Sequence, residues 1–238
     1  WCEGKDCGTA KHATIRVIIN KRNTQEEKSM NKILADMHTH TIASGHAYAT
    51  LTEMCKEAAN KGLEIYGITE HSSGTPGTCA DIYFQNLRVV PRDLFGLDLR
   101  LGAEINIIDY NGTLDLDQKY IDRLDFVIAG IHSVCYKFGS KEENTAAIIN
   151  AIKNPNVNII SHPDDGRCPL DYEALVQAAK EYHVLLEINN NALRDKNRKN
   201  VKENQKLIIE NCKKYNHPFI MGSDAHFTTD IANYDHCG

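Results

Sequence analysis

An α/β fold built on seven parallel strands is the architecture this sequence predicts, on three observations. Short apolar runs rich in β-branched residues recur from residue 33 onward. Amphipathic segments with helix-capping signals lie between them, the alternation of βαβ units around a parallel sheet. The runs are apolar at nearly every position, as strands covered on both faces must be. At 238 residues the chain has the length of one α/β-barrel domain and buries a large core.

The strands are expected at "ILADM" (33–37), "EIYGIT" (64–69), "LRLGAEI" (99–105), "FVIAGI" (126–131), "VNIIS" (157–161), "VLLEIN" (184–189) and "PFIMGS" (218–223). After the first strand, Thr50 and Glu53 stand at capping-box spacing. Leu51, Met54, Cys55, Ala58 and Ala59 then form one apolar stripe, and Gly62 ends the helix. Asp171 caps a helix whose Leu175, Ala178, Ala179 and Tyr182 share a face. A further helix covers 200–215 with Ile208, Cys212 and Tyr215 inward. Asn111-Gly112 marks a tight hairpin turn between the third and fourth strands. Residues 72–98 are the longest irregular stretch, of the kind that covers a site.

Composition narrows the partners. A formal net charge of -5 leaves no electrostatic footprint for nucleic acid or an anionic membrane, so both are disfavoured. No run approaches the roughly 20 apolar residues that span a bilayer. The eight cysteines do not read as a disulfide framework: Cys55 and Cys212 fall on helix faces, and Cys79, Cys135 and Cys168 fall in loops. Reduced thiols and a cytoplasmic location are expected. Residues 1–29 lack an initiating Met and a secretory pattern, and the spacing in "CEGKDCGTAKH" matches no zinc knuckle. Met30 is the expected native start, with 1–29 an extension and 30–238 one domain. Homo-oligomer formation is left open.

The polar residues fall in one kind of place. Strand 1 runs into His38 and His40, strand 2 into Glu70 and His71, and strand 3 ends at Glu104. Strand 4 runs into His132, strand 5 into His162, and strand 7 into Asp224 and His226. In a parallel barrel these ends share one face, where barrel active sites are built. Residues i and i+2 of an extended chain point the same way, so His38/His40 and Asp224/His226 each converge. A lone histidine after a strand is an ordinary loop residue, and His12, His183, His217 and His236 are read as such. Imidazoles massed together need a partner for their nitrogens, and protonation would make them repel. Divalent metal supplies that partner. Nine ligands are too many for one zinc. Nitrogen-rich ligation favours Zn, with Mn or Fe as alternatives. Two or three adjacent ions suit phosphate-ester hydrolysis.

"HTH" (38–40), "ITEH" (68–71), "GAEIN" (102–106), "GIH" (130–132), "ISHP" (160–163) and "GSDAH" (222–226) resemble the PHP (polymerase and histidinol phosphatase) family of metal-dependent hydrolases. His46 in "ASGHAYATL", with "LEINNN", is similar to the family's single-domain bacterial branch of trinuclear-zinc phosphatases. The resemblance covers about residues 33–230. It implies a distorted (β/α)7 TIM-like barrel with its metal site at the strands' C-terminal ends. It implies three divalent ions: one held by His38, His40, Glu104 and Asp224; a second by Glu104, His132 and His162; a third by His46, His71 and His226. Glu104, Asp224 and His226 are the expected catalytic residues, and a metal-bridging hydroxide is expected to attack phosphorus in line. Arg88 and Arg92 are expected to grip the phosphate of a small phosphorylated substrate, since guanidinium suits bidentate contact. Glu70 stands where the family usually has Asp and is expected to reorient His71. The chain stops twelve residues after His226, so an incompletely closed barrel is expected. The leading reading is hydrolysis of phosphate monoesters. Histidinol phosphatase, a nuclease-like phosphodiesterase and a non-catalytic metal-binding module are the alternatives.

Overall fold

The computed structural model describes residues 33–235. The expectations for residues 1–29, including His12 and the Cys2/Cys7 spacing, and for His236 lie outside them. All seven expected strands form: β1 (Ala35–Asp36), β2 (Ile65–His71), β3 (Leu97–Asn106), β4 (Val127–Gly130), β5 (Ile159–Ile160), β6 (Leu185–Asn189) and β7 (Phe219–Gly222). They pair in parallel and in sequence order. Beyond β1 and β7, Thr39 bridges Ala225 in parallel. His40 N–H donates to Ala225 O and Asp224 N–H to His38 O, both at 2.9 Å. The barrel is therefore nearly closed. Its seam is stitched by the segments that carry His38, His40 and Asp224.

The capping signals form as read. In α1 (Leu51–Asn60), Glu53 N–H donates to Thr50 Oγ1 and Thr50 N–H to Glu53 Oε2. In α3 (Tyr172–Tyr182), Asp171 accepts from Ala174 N–H at 3.1 Å. Tyr182, expected inward, is exposed in the last turn. In α4 (Val201–Tyr215), Ile208 and Cys212 are buried and Tyr215 half-buried. One long helix was not anticipated: α2 (Lys141–Ile152), opened by a Ser140/Glu143 capping box. Its inward face includes Asn144 and Thr145, which interrupt the apolar stripe. The Asn111-Gly112 turn does reverse the chain after β3. It pairs Ile107 with Leu114, however, while β3 and β4 themselves run parallel. Within 72–98 lie a short helix (Ile82–Asn86), a 3₁₀ turn (Leu87–Val89) and a two-residue strand (Asp93–Leu94) antiparallel to β3. All five described cysteines are free. Among the described residues no helix is long and apolar enough to cross a membrane.

Strand alternation aims the site. On β3, Leu99, Leu101, Ala103 and Ile105 join the apolar core. Gly102, Glu104 and Asn106 occupy the opposite face. The β2–β3 register sets His71 beside Glu104.

Candidate metal centre

All nine expected ligand positions meet at the C-terminal rim of the barrel, with Glu104 as their hub. Its Oε2 lies 3.3 Å from His38 Nε2, 3.5 Å from His40 Nε2 and 3.0 Å from His71 Nδ1. Its Oε1 lies 2.8 Å from His162 Nε2 and 3.3 Å from His132 Nε2. Asp224 Oδ1 approaches His40 Nε2 to 3.3 Å and His38 Nε2 to 3.6 Å. His162 (φ 31°) and Asp224 (φ 53°) both sit in the left-handed backbone region. That conformation costs about 1–3 kcal/mol for a non-glycine residue and is typical of functional sites.

Three pairs of ring nitrogens face one another across the cluster. His38 and His40 bring their Nε2 atoms to 3.1 Å, His132 and His162 to 3.1 Å, and His46 and His226 to 3.0 Å. What lies behind these rings fixes their tautomers. His38 Nδ1 is 2.7 Å from Glu187 Oε1 and His132 Nδ1 is 2.7 Å from Asn106 Oδ1. His46 Nδ1 meets Ser44 O at 3.0 Å, and His226 Nδ1 meets Asp224 O at 2.9 Å. Each of those oxygens only accepts, so each Nδ1 carries the proton and donates it. His40 Nδ1 is 3.1 Å from Ser44 Oγ, whose own proton goes to Glu70 Oε2 at 2.5 Å. The Nε2 lone pairs of five histidines are thereby turned inward. His71 Nδ1 is buried with no hydrogen-bond partner, its contact with Glu104 lacking hydrogen-bond geometry. Inward lone pairs about 3 Å apart repel, and a divalent cation satisfies them together. The residues fit metal.

The charges agree. Burial opposes ionisation of Glu104 and Asp224, yet the imidazoles around each hold it well below the usual carboxylate range. Burial likewise opposes charge on His38, but Glu187, Glu104 and Asp224 outweigh it and push its pKa well above the ordinary value. His40, buried beside His71 and His226, is pushed well below. His46 is lowered by desolvation and by His226 and His71. Three trios bring their ligand atoms within 4.8 Å of one another: His38/His40/Glu104, His71/Glu104/His132 and His40/His71/His226. His71 thus stands between the second and third expected positions.

Glu187 was missed by sequence reasoning. It accepts from His38 Nδ1–H, from His162 N–H at 2.8 Å and from Asn189 Nδ2 at 3.0 Å. A Cβ at Gly222 would overlap its carboxylate, so glycine is required there for close approach. The available signal was the alternation of Glu187 and Asn189 in "LEIN", two polar residues on one face of an otherwise apolar strand. Glu70 does not touch the His71 ring. It accepts from Thr41 N–H, Thr41 Oγ1 and Ser44 Oγ, so it braces the 41–44 turn.

A cavity of about 370 Å³ opens over the cluster, lined in part by His46, His71, His132, His162, Arg167 and Arg198. Neither Arg88 nor Arg92 lines it. Arg88 is exposed in the Leu87–Val89 turn. Arg92 donates to Asp125 Oδ2 at 2.6 Å and to the carbonyls of Leu87 and Val90, bracing the loop. The arginines at the cavity are Arg167, paired with Asp165 through Nε (2.9 Å) and Nη2 (2.6 Å), and Arg198. Arg198 Nε and Nη1 are buried without a hydrogen-bond partner, and Asp195 Oδ2 lies 3.7 Å from Nε. Arg167 and Arg198 lie in the loops after β5 and β6, well beyond the strand ends, out of reach of the rule that found the histidines.

The PHP domain family model matches residues 36–216. A relative from Caldicellulosiruptor saccharolyticus, described as "Probable phosphatase", is 50% identical over 202 residues, 84% of this chain and 83% of the relative. Another so described, from Acetivibrio thermocellus, is 44% identical over 204 residues, 86% of this chain and 84% of the relative. Among solved structures, the histidinol phosphate phosphatase of Lactococcus lactis, complexed with Zn, L-histidinol and phosphate, has TM-score 0.55 and 18% identity. That match covers 82% of this chain and 87% of that one, and at this identity it bears on the fold alone.

Proposed function

The chain belongs to the PHP domain family, and from that premise we propose that it is a metal-dependent phosphoesterase acting on small phosphate monoesters. The observation that carries the reading is the set of three facing Nε2 pairs at the strand ends, with the Nδ1 proton committed elsewhere on five of the six rings. Relatives described as phosphatases at 44–50% identity support the reaction class.

His38, His40, Glu104 and Asp224 would hold one divalent ion, Glu104, His132 and His162 a second, and His46, His71 and His226 a third. Imidazole-rich ligation suits Zn, with Mn or Fe as alternatives. When bound, such ions supply Lewis acidity toward phosphoryl oxygens, activation of water as a nucleophile and stabilisation of the leaving oxygen. The chain's own part is to position. Glu104 and Asp224 stay ionised and set the charge of the floor. Arg198 offers guanidinium N–H groups that lack a protein acceptor, the donors a phosphate dianion needs. Asp165 holds Arg167 beside it. A cavity of about 370 Å³ suits a small molecule.

Convergence of every expected ligand position weighs against a degenerate, non-catalytic module. The test is metal-dependent release of phosphate from a panel holding an aryl phosphate, histidinol phosphate and single-stranded DNA. His40→Ala and Asp224→Ala each abolish turnover of the monoesters. Full turnover in both variants would overturn the reading, and turnover confined to DNA would move it to a phosphodiesterase.

A further inference from the structure

One half-buried carboxylate outside the metal ligands accepts hydrogen bonds from residues that support the site. Asp115 Oδ1 accepts from Ser72 Oγ at 2.5 Å and from Asn106 N–H at 2.9 Å. Its Oδ2 accepts from Gly74 N–H at 2.9 Å and from Asn106 Nδ2 at 2.7 Å. Asn106 Oδ1, at the other end of the same amide, lies 2.7 Å from His132 Nδ1. Asp115 reaches this place because the chain doubles back after β3. Gly112 adopts φ 78° at the turn, Ile107 bridges Leu114, and Asp115 N–H donates to Asn106 O at 3.1 Å.

Donor and acceptor logic then runs one way. A carboxylate only accepts, so Asn106 must present its NH₂ to Asp115 and its oxygen to His132. That oxygen accepts the His132 Nδ1 proton, which leaves Nε2 unprotonated and aimed at Glu104 Oε1 and His162 Nε2. We infer that Asp115 is a positioning residue: through Asn106 it sets the tautomer and aim of His132, and the hairpin at 107–114 exists to deliver it. The inference rests on the proposed metal-dependent reading of the site, but its logic concerns a proton on one ring.

Asp115→Asn is nearly isosteric and reverses that logic. Whichever way the new amide turns, its NH₂ faces a backbone N–H, either Gly74's or Asn106's. Where it faces Gly74 it also favours a flipped Asn106, whose NH₂ then confronts His132 Nδ1 and drives the ring proton to Nε2. Asn106→Leu removes the acceptor outright while keeping bulk. Asp109→Asn is the structural control. Asp109 Oδ1 accepts from Asn111 N–H and Thr113 N–H, so this variant loosens the same hairpin without touching the relay.

Two measurements on the full chain decide the matter: zinc affinity by chelator competition, and imidazole ¹⁵N shifts of His132 before zinc is added. In Asp115→Asn and Asn106→Leu, zinc affinity at one site falls about 10–100-fold, and the His132 proton moves from Nδ1 to Nε2. Asp109→Asn keeps both wild-type values. Unchanged tautomer and affinity in Asp115→Asn and Asn106→Leu overturn the relay, as does an equal loss in Asp109→Asn. If the wild-type chain binds no divalent ion, the proposed function falls, and the ¹⁵N shifts alone still decide the relay.

Discussion

The floor of the site and its lip use the same residue type in different settings. On the floor, His38 and His40 are 1% and 0% exposed, with Glu104 and Asp224 buried between them. Their Nδ1 atoms are held by side chains, Glu187 and Ser44, and Ser44 is in turn tied to Glu70. At the lip, His46 is exposed and His226 half-buried. Both donate to backbone carbonyls, and Asp224 Oδ1 comes no closer to His226 Nδ1 than 3.5 Å. Carboxylate hydrogen bonds raise the basicity of a ligand and buried surroundings fix its aim. Under the proposed function, the floor would hold its ion more tightly than the lip.

The largest effect comes from loosening the floor behind its ligands. Glu187→Gln sets an amide NH₂ against either His38 Nδ1–H or His162 N–H. Metal affinity on the floor drops about 10–100-fold while the lip changes little. Competition with a chelator measures this, and equal weakening of all sites would erase the contrast. A smaller effect is expected at Arg198. Arg198→Lys keeps the charge but loses the fork, so KM rises roughly tenfold, the worth of one charge-assisted hydrogen bond. Arg92→Ala leaves KM unchanged, since its guanidinium serves Asp125 and the loop.

The smallest effect separates the two regions by pH. A lowered imidazole pKa keeps His46 neutral and able to ligate down to a pH below its ordinary 6.5, past which protonation expels the ion. Glu104 and Asp224 hold their charge further down, because their pKa values are depressed. Their contribution to stability is complete above about pH 4.5 and is lost as pH falls through their folded values. His38 runs the other way, its raised pKa letting protons claim a floor ligand at a higher pH than His46. Metal release on acidification is therefore expected in two steps, floor before lip. His46→Asn removes the second step and leaves the first. A single step in the wild type would show the regions to be one.

Much of this was legible in the sequence because strand ends carry their chemistry in plain order. "MHTH", "ITEH", "GIH", "ISHP" and "SDAH" each close an apolar run, and the parallel fold brings such ends together. What escaped were residues whose role depends on a partner far along the chain. Glu187 and Asn106 are polar residues inside buried strands, and their meaning appears only when His38 and His132 arrive beside them. Arg167 and Arg198 sit in loops whose course sequence periodicity does not set, whereas Arg88 and Arg92 drew notice by lying in the longest loop. Helix α2 hid because buried Asn144 and Thr145 break its apolar stripe; Asn144 Nδ2 donates to the carbonyls of Gly139 and Pro169.

Metal content tests the central claim most directly. Elemental analysis of the purified full chain is expected to find about three divalent ions per chain, zinc foremost, held chiefly by imidazole. A chain that carries none, and takes up none when zinc is supplied, would contradict it.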